Sequence, residues 1–571
     1  MSVLDWIVLL ATLVFITGYG MYKTRGKKSL DTYLKGNSGN WWTIGLSIMA
    51  TQASAITFLS TPGQAYEDGM RFIQFYFGLP LAMILISIFF IPIYYKLKVY
   101  TAYEYLETRF DLKTRTLTAI LFIVQRGLAA GITIYAPAII LSTLLGWNLT
   151  FTNIFIGILV ILYTVSGGTD AVSITQKQQM AVMMGGMILA GAFVIYLLPI
   201  SMKEALHVAG KMDKLNLVNF EFDLADRYSF WSGMTAAVFL FLSYFGTDQS
   251  QVQRYLSGQT LTQSRMGLMM NGFLKIPMQF LILFIGVLVF VFYQFIPSPI
   301  HFNQVQIESL RQSKFGPELV KLEERYQESF EKARITYTHL MKEENLENEA
   351  AALPLTRQLK EIQSQQRVLR EEVKSLILTH DSSAETRDTD YVFMRFVMDY
   401  LPTGIIGLLF AVIFTAAMSS SSSELNALGS TTTIDLYKRS IRKEAPDSHY
   451  VLSSKAFTAF WGLGAILFAT YASLFENLIQ AVNLLGSLFY GSILGIFCVA
   501  FFLKWIKGNA VFMAAILSQG LILFIHFFNG KGVMGFAWDI GFLWYNAIGC
   551  MSVMAFAIIC QAVLRVTGFK A

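Results

Sequence analysis

Cysteine, histidine and charge are scarce in this 571-residue chain, and each shortage closes off a class of chemistry. The three cysteines, Cys498, Cys550 and Cys560, all fall in apolar stretches, so no disulfide framework or CxxC metal or redox site is available. The six histidines are scattered without an HExxH spacing. With no nucleophile–base pair and no metal cluster to point to, an enzyme is not expected. Charged residues make up only 14% of the chain. The net charge of +6 comes from basic residues gathered in short loops, with no tract suited to nucleic acid. Residues 1–22 lack the basic start of a signal peptide, so the first apolar run is expected to be retained as a membrane span.

Apolar surface is what the chain has in excess: 54% of residues are hydrophobic. They come in stretches of about twenty, each long enough to cross a hydrocarbon layer of about 30 Å. The runs predict an all-α polytopic membrane protein of thirteen spans. These lie at 4–22, 41–66, 72–95, 117–145, 151–167, 171–200, 229–246, 267–296, 403–436, 456–474, 477–503, 509–528 and 541–564. Basic residues follow the first span (Lys23, Arg25, Lys27, Lys28, Lys35), the third (Lys96, Lys98, Arg109, Lys113, Arg115) and the ninth (Lys438, Arg439, Arg442, Lys443, Lys455). Under this count those loops and the Lys504–Lys507 loop share one side. The positive-inside rule makes that side cytoplasmic, with the N-terminus outside and the C-terminus inside a plasma or inner membrane.

Residues 299–390 interrupt the pattern, separating spans 1–8 (1–298) from spans 9–13 (391–571) within one transporter domain. Leu322, Tyr326, Ala333, Tyr337 and Leu340, then Leu359, Ile362, Leu369, Val373 and Leu376, mark two amphipathic helices broken at Pro354. An extracytoplasmic helical hairpin follows, either a lid or dock for an outside protein or simply a solvated insertion.

Function is sought where polar groups sit in spans that should be apolar. Span nine carries Ser419 to Ser423 followed by Glu424. Ala416, Ser419, Ser420 and Ser423 share one helical face, and a carbonyl at Ala416 beside two hydroxyls offers neutral oxygens suited to a hard monovalent cation. The competing reading is small residues promoting close helix packing. Span two carries small and polar residues from Gly45 to Thr57, with Pro62-Gly63 a turn later. A helix interrupted near Ala53 would free carbonyls at mid-membrane, as ion and solute sites in transporters require. Arg126, Lys275 and Glu424 are the remaining intramembrane charges, and snorkelling is the alternative for the first two.

These residues carry a family resemblance. Ala50–Phe58, Ser419–Ser423 running on to Asp435 and Lys438, Gly167-Gly168 with Ala171-Val172, and Tyr244-Phe245-Gly246 through Gln253-Arg254 resemble the sodium:solute symporter family. Pro62–Tyr66, Thr101–Glu107, Ile134–Ala138 and Arg227–Trp231 resemble its sodium/iodide, multivitamin and monocarboxylate branch more than its sugar branch. The resemblance implies a LeuT-like fold of two inverted five-helix repeats, with Na⁺ as coupling ion and no organic cofactor. It implies a main sodium site on the carbonyls of Ala50, Ala53 and Ala416 and the hydroxyls of Ser419 and Ser420. A second cation would use Ser422 and Ser423, but Gln176 stands where the family has an aspartate. Either Glu424 supplies the missing charge or one sodium is coupled.

Candidate substrate contacts are Gln52, Thr57, Tyr76, Phe241, Tyr244, Lys275 and Arg126. Tyr76 and Phe241 replace polar sugar contacts of the family, which favours a small carboxylate over a polyol, with Arg126 or Lys275 balancing its charge. The expectation is a sodium-coupled symporter that imports a monocarboxylate or vitamin-like anion. Its partners would be the solute and the lipid bilayer, with no nucleic acid. The alternatives are a sugar, polyol, sialic acid or amino acid symporter, a proton-coupled or channel-like carrier using Glu424, and a membrane solute sensor. The last span ends close to Ala571, which leaves a sensor without an output domain in this sequence.

Overall fold

The computed structural model describes residues 1–24, 40–345, 349–382, 384, 386, 388–471, 478–530 and 539–567. Arg25, Lys27, Lys28 and Lys35 of the first basic loop lie outside the described residues. The helices, in chain order, are α1 (Val3–Thr24), α2 (Trp41–Gln52), α3 (Ala55–Asp68), α4 (Leu79–Leu97), α5 (Glu104–Arg109), α6 (Leu112–Leu145) and α7 (Leu149–Leu197). Next come α8 (Met202–Lys211), α9 (Ala237–Gly246), α10 (Gln249–Leu256), α11 (Leu261–Phe295), α12 (Gln304–Arg311), α13 (Gly316–Asn345) and α14 (Glu349–His380). The chain closes with α15 (Val392–Tyr400), α16 (Ile405–Thr431), α17 (Asp447–Ala469), α18 (Leu478–Phe502), α19 (Gly508–Phe528) and α20 (Trp544–Val566).

Among the described residues, ten helical segments are long and apolar enough to cross a membrane, and Leu149–Leu162 and Ser232–Gly246 are shorter apolar helices. One of the ten, Ala55–Leu97, takes in both α3 and α4, and so covers parts of the expected second and third spans. Polar caps start several helices where the apolar runs begin. Asp111 accepts from Thr114 N at 2.9 Å, and Asn148 from Thr150 N at 2.9 Å. Ser201 and Glu204 form a capping box.

One expected boundary takes an unexpected form. Helical structure runs unbroken through the 49 residues of α7, where spans five and six were separate. A straight helix of that length would measure about 74 Å. Its contacts instead return to the end they started from. Asn153 donates to the Ala469 carbonyl at the far end of α17, at 3.4 Å. Thr169 meets Gln253 and Asn426 deeper in the bundle, at 2.7 and 2.8 Å. Beyond Leu197 the chain reaches Lys214, whose carbonyl takes Met70 N at 2.9 Å. The two halves of α7 thus meet different partners, the first α17 and the second α10 and α16.

Two ends of the bundle are chemically distinct. At one, Arg115 pairs with Glu107 at 2.8 Å and Asp435 at 2.7 Å, and Arg439 with Glu107 at 2.5 Å. Arg109 donates there to the carbonyls of Ala500, Leu503, Lys504 and Ile506. This end gathers the basic loops that follow the third and ninth expected spans and the Lys504–Lys507 loop. At the other end sit the C-terminus of α3, the 198–228 segment and the α13–α14 pair. Those two helices run antiparallel, with Arg325 on Glu372 at 3.3 Å and Gln363 donating to Tyr337 Oη at 2.9 Å. The apolar residues predicted for their inner faces are buried, apart from partly buried Leu376. Pro354 is not at the break: it lies inside α14 as the sixth residue of that helix.

Candidate functional site

Two helices are interrupted inside the bundle. The first break falls at Ala53-Ser54, between α2 and α3. Ser54 N turns back to the Gln52 carbonyl at 3.1 Å, so the Ala50 and Thr51 carbonyls lose their helical donors. Side chains of α16 take their place. Ser419 Oγ donates to the Ala50 carbonyl at 3.0 Å, and Ser420 Oγ to the Thr51 carbonyl at 3.2 Å. Ala53 and Ala416 are fully buried on the same elements. Two backbone carbonyls and two hydroxyls, none with a formal charge, thus meet at this contact, and such donors fit a sodium ion.

Behind this contact lies Gln176, on the second half of α7. Its Nε2 donates to Thr51 Oγ1 at 2.9 Å, Ser419 Oγ at 3.0 Å and Ser423 Oγ at 3.1 Å. Its Oε1 accepts from Ser47 Oγ. The amide nitrogen occupies the centre of the hydroxyl cluster. Ser423 belongs to this cluster, also meeting Thr51 Oγ1 at 3.2 Å. Ser422 does not: its hydroxyl bonds back to the Ser419 carbonyl at 3.1 Å. Glu424 does not either. One residue further round the helix, it points into the central cavity.

The second break, at Thr247-Asp248, separates α9 from α10. Asp248 caps α10 through Ser250 N at 2.9 Å and turns its other oxygen to Arg126 and Tyr490. Arg126 also donates to Glu424 at 3.0 Å and Tyr490 Oη at 2.6 Å, and it lies 5.4 Å from the Tyr244 ring centre. One buried guanidinium is therefore held between two carboxylates. Composition gave Arg126 and Glu424 but missed Asp248 and Tyr490. The Gly246-Thr247-Asp248 sequence at the end of an apolar run, a helix stop followed by a cap, was the available signal for Asp248.

Between the two breaks lies a cavity of about 100 Å³. Gln52, Thr57, Tyr76, Phe241, Tyr244 and Arg126 all line it, with Ser420 and Glu424 on the cation side. Six of the seven predicted substrate contacts thus meet at one place. Lys275 is the exception. It is buried behind the wall, its Nζ 5.8 Å from the Tyr76 ring centre and without a hydrogen-bond partner among the described residues. Tyr76 and Phe241 stack at 6.0 Å and 27°, so the predicted aromatic wall is present. Gln52 Oε1 and Asn483 Nδ2 are buried on the lining without partners among the described residues, leaving one acceptor and one donor for a solute.

Two broken helices facing a mid-bundle cavity, with freed carbonyls beside it, define a secondary transporter. The family model for the sodium:solute symporter family matches residues 32–308 and 376–518, and the chain belongs to that family. Between the two matched segments, 309–375 is left out, which takes in α13 and most of α14.

Among its relatives, the human sodium/iodide cotransporter is 32% identical over 273 residues, 47% of this chain and 42% of that one. Sodium-coupled monocarboxylate transporter 1 of Xenopus laevis is 33% identical over 276 residues, 47% and 44% of the two chains. These matches span less than half the length of those relatives. The sodium/sialic acid symporter SiaT of Proteus mirabilis is 25% identical over 562 residues, 96% of this chain and 93% of its own. In fold, the chain matches a substrate-bound, outward-open sodium-coupled sialic acid symporter with a TM-score of 0.75, 24% identity and 98% coverage of both chains.

Proposed function

We propose that the protein is a sodium-coupled symporter that imports a small organic anion by alternating access. The carrying observation is the contact of Ser419 and Ser420 with the Ala50 and Thr51 carbonyls at the α2–α3 break. A sodium ion held there by the Ala50, Ala53 and Ala416 carbonyls and the two hydroxyls would tie α16 to α2. Entry of the ion would favour the outward-facing arrangement, and its loss to a sodium-poor cytoplasm would favour solute release. The gathering of basic loops at one end supports thirteen crossings, a cytoplasmic C-terminus and an outside position for the α13–α14 hairpin.

One sodium ion moves per cycle in this reading. Of the hydroxyls that a second ion would need, Ser423 is already bonded to the Gln176 amide and Ser422 to the Ser419 carbonyl, and Glu424 is engaged by Arg126. The solute is an anion. The relatives named above are described as carriers of iodide, monocarboxylate and sialic acid, which share negative charge. Arg126 is spent on two carboxylates, so Lys275 behind Tyr76 is the cation left to balance a solute. A sugar acid of the sialic acid type is the second reading, favoured by the near full-length match to the Proteus mirabilis protein.

The test is uptake of lactate, nicotinate, sialic acid and glucose into proteoliposomes under an imposed sodium or proton gradient. Sodium-driven accumulation of an acid is expected. Uptake driven only by protons, or of glucose alone, would reject the proposal, and no uptake under either gradient would favour a sensor.

A further inference from the structure

A cavity of about 540 Å³ opens between α14 and the end of the bundle that carries the C-terminus of α3. Its floor and walls hold Asp68, Arg71, Lys214 and Arg227, and α14 contributes Lys360 and Arg367. Asp68 is bonded to the Gln64 amide and lies within electrostatic reach of Lys214, Arg227, Arg367 and Arg71. Glu67, Asp213 and Asp226 line the space as well, so five cations face four carboxylates, with Arg71, Lys214, Arg227 and Arg367 grouped around Asp68.

Their own bonds are unequal. Lys360 pairs with Asp213 at 2.6 Å, Arg227 donates to Gln480 at 2.7 Å, and Lys214 donates to the Glu67 carbonyl. The side chains of Arg71 and Arg367 line the space with no hydrogen bond or ion pair among the described residues. Each keeps a planar fork free, the geometry that matches a carboxylate.

The position of the cavity gives those forks a use. Phe72 and Tyr228 line it and pack on each other at 4.9 Å. Phe72 also meets Tyr76 at 5.8 Å and Phe75 at 5.5 Å, and both of those line the central cavity. One layer of aromatic rings therefore separates the two spaces.

We propose that this vestibule is a separate capture site for small carboxylates, in which Arg71 from the bundle and Arg367 from the hairpin hold the acid group before it passes the aromatic layer. It rests on the symporter reading for the direction of passage but not for binding. The hairpin then completes a solute-facing site, which gives the segment outside the family match a role of its own.

The test measures binding of benzoate, with benzyl alcohol as the uncharged control, to the full chain in nanodiscs in sodium-free buffer, by saturation-transfer NMR. Benzoate should bind without sodium and lose affinity with added salt. R71Q/R367Q should weaken it about tenfold, R71K/R367K less, and benzyl alcohol should not respond. Unchanged benzoate affinity in R71Q/R367Q, equal binding of benzyl alcohol, or no binding to the parent chain would each overturn the proposal. Sodium-driven uptake is followed on the same preparations. Binding through Arg71 and Arg367 without such uptake would sink the symporter reading and keep the vestibule, and uptake without that binding would do the reverse.

Discussion

Gln176 donates its side-chain amide to Ser419 at 3.0 Å, and the same serine donates its hydroxyl to the Ala50 carbonyl at 3.0 Å. A neutral donor from α7 is thereby wired into the oxygens that would bind the coupling ion. The amide nitrogen satisfies three hydroxyls that would otherwise face one another across a buried gap, at the cost of a place for a cation.

Replacing that nitrogen with oxygen should open the place. Gln176→Glu keeps the shape and the acceptor for Ser47 but sets a carboxylate among hydroxyls. The sodium dependence of uptake should change from hyperbolic in the parent, with a Hill coefficient of about one, to sigmoidal in the variant. A sigmoidal parent curve would count against the one-ion reading.

The Arg126 triad predicts a stability effect. Arg126→Gln leaves Asp248 and Glu424 buried without their shared partner, which should cost about 3–5 kcal/mol. Urea unfolding in detergent, followed by tryptophan fluorescence, measures it. A loss below about 1 kcal/mol would mean that the triad is not the clamp described here.

Lys214 predicts a pH effect on solute capture. Burial pushes its ammonium down to about 8, with Asp68 pulling the other way, and Arg367, Glu67 and Asp213 also face it. The vestibule should lose a cation as pH rises through that value, so half-saturation for a carboxylate should rise between about pH 7 and 9. Lys214→Arg, which stays charged, should flatten the profile, and an identical profile in this variant would refute the assignment. For stability the sign is opposite. The folded value lies below the unfolded one of 10.5, so this group favours the folded state increasingly as pH climbs from about 8 to 10.5.

Much of this was legible in the residues. The polar runs Gly45–Thr57 and Ser419–Ser423 break the apolar rule so plainly that the two elements that meet at the α2–α3 break could be named, and the hairpin's inner face followed from its periodicity. What the sequence hid was pairing across the bundle. That Gln176 plugs a hydroxyl cluster, and that Arg126 faces two carboxylates instead of an open solute position, depends on contacts between residues 122 to 298 positions apart. The Thr247-Asp248 break was overlooked because the apolar run ends there, and an end and an interruption look alike in hydropathy. Pro354 misled because α14 carries it as an internal residue, so the lost backbone donor did not end the helix there.

The most direct measurement of the central claim is equilibrium binding of ²²Na⁺ to the purified chain, alone and as S419A/S420A. The account predicts one sodium ion per chain in the parent and its loss in the variant, whose melting temperature without sodium should match the parent's. Undiminished sodium binding by S419A/S420A, or two ions per parent chain, would contradict it.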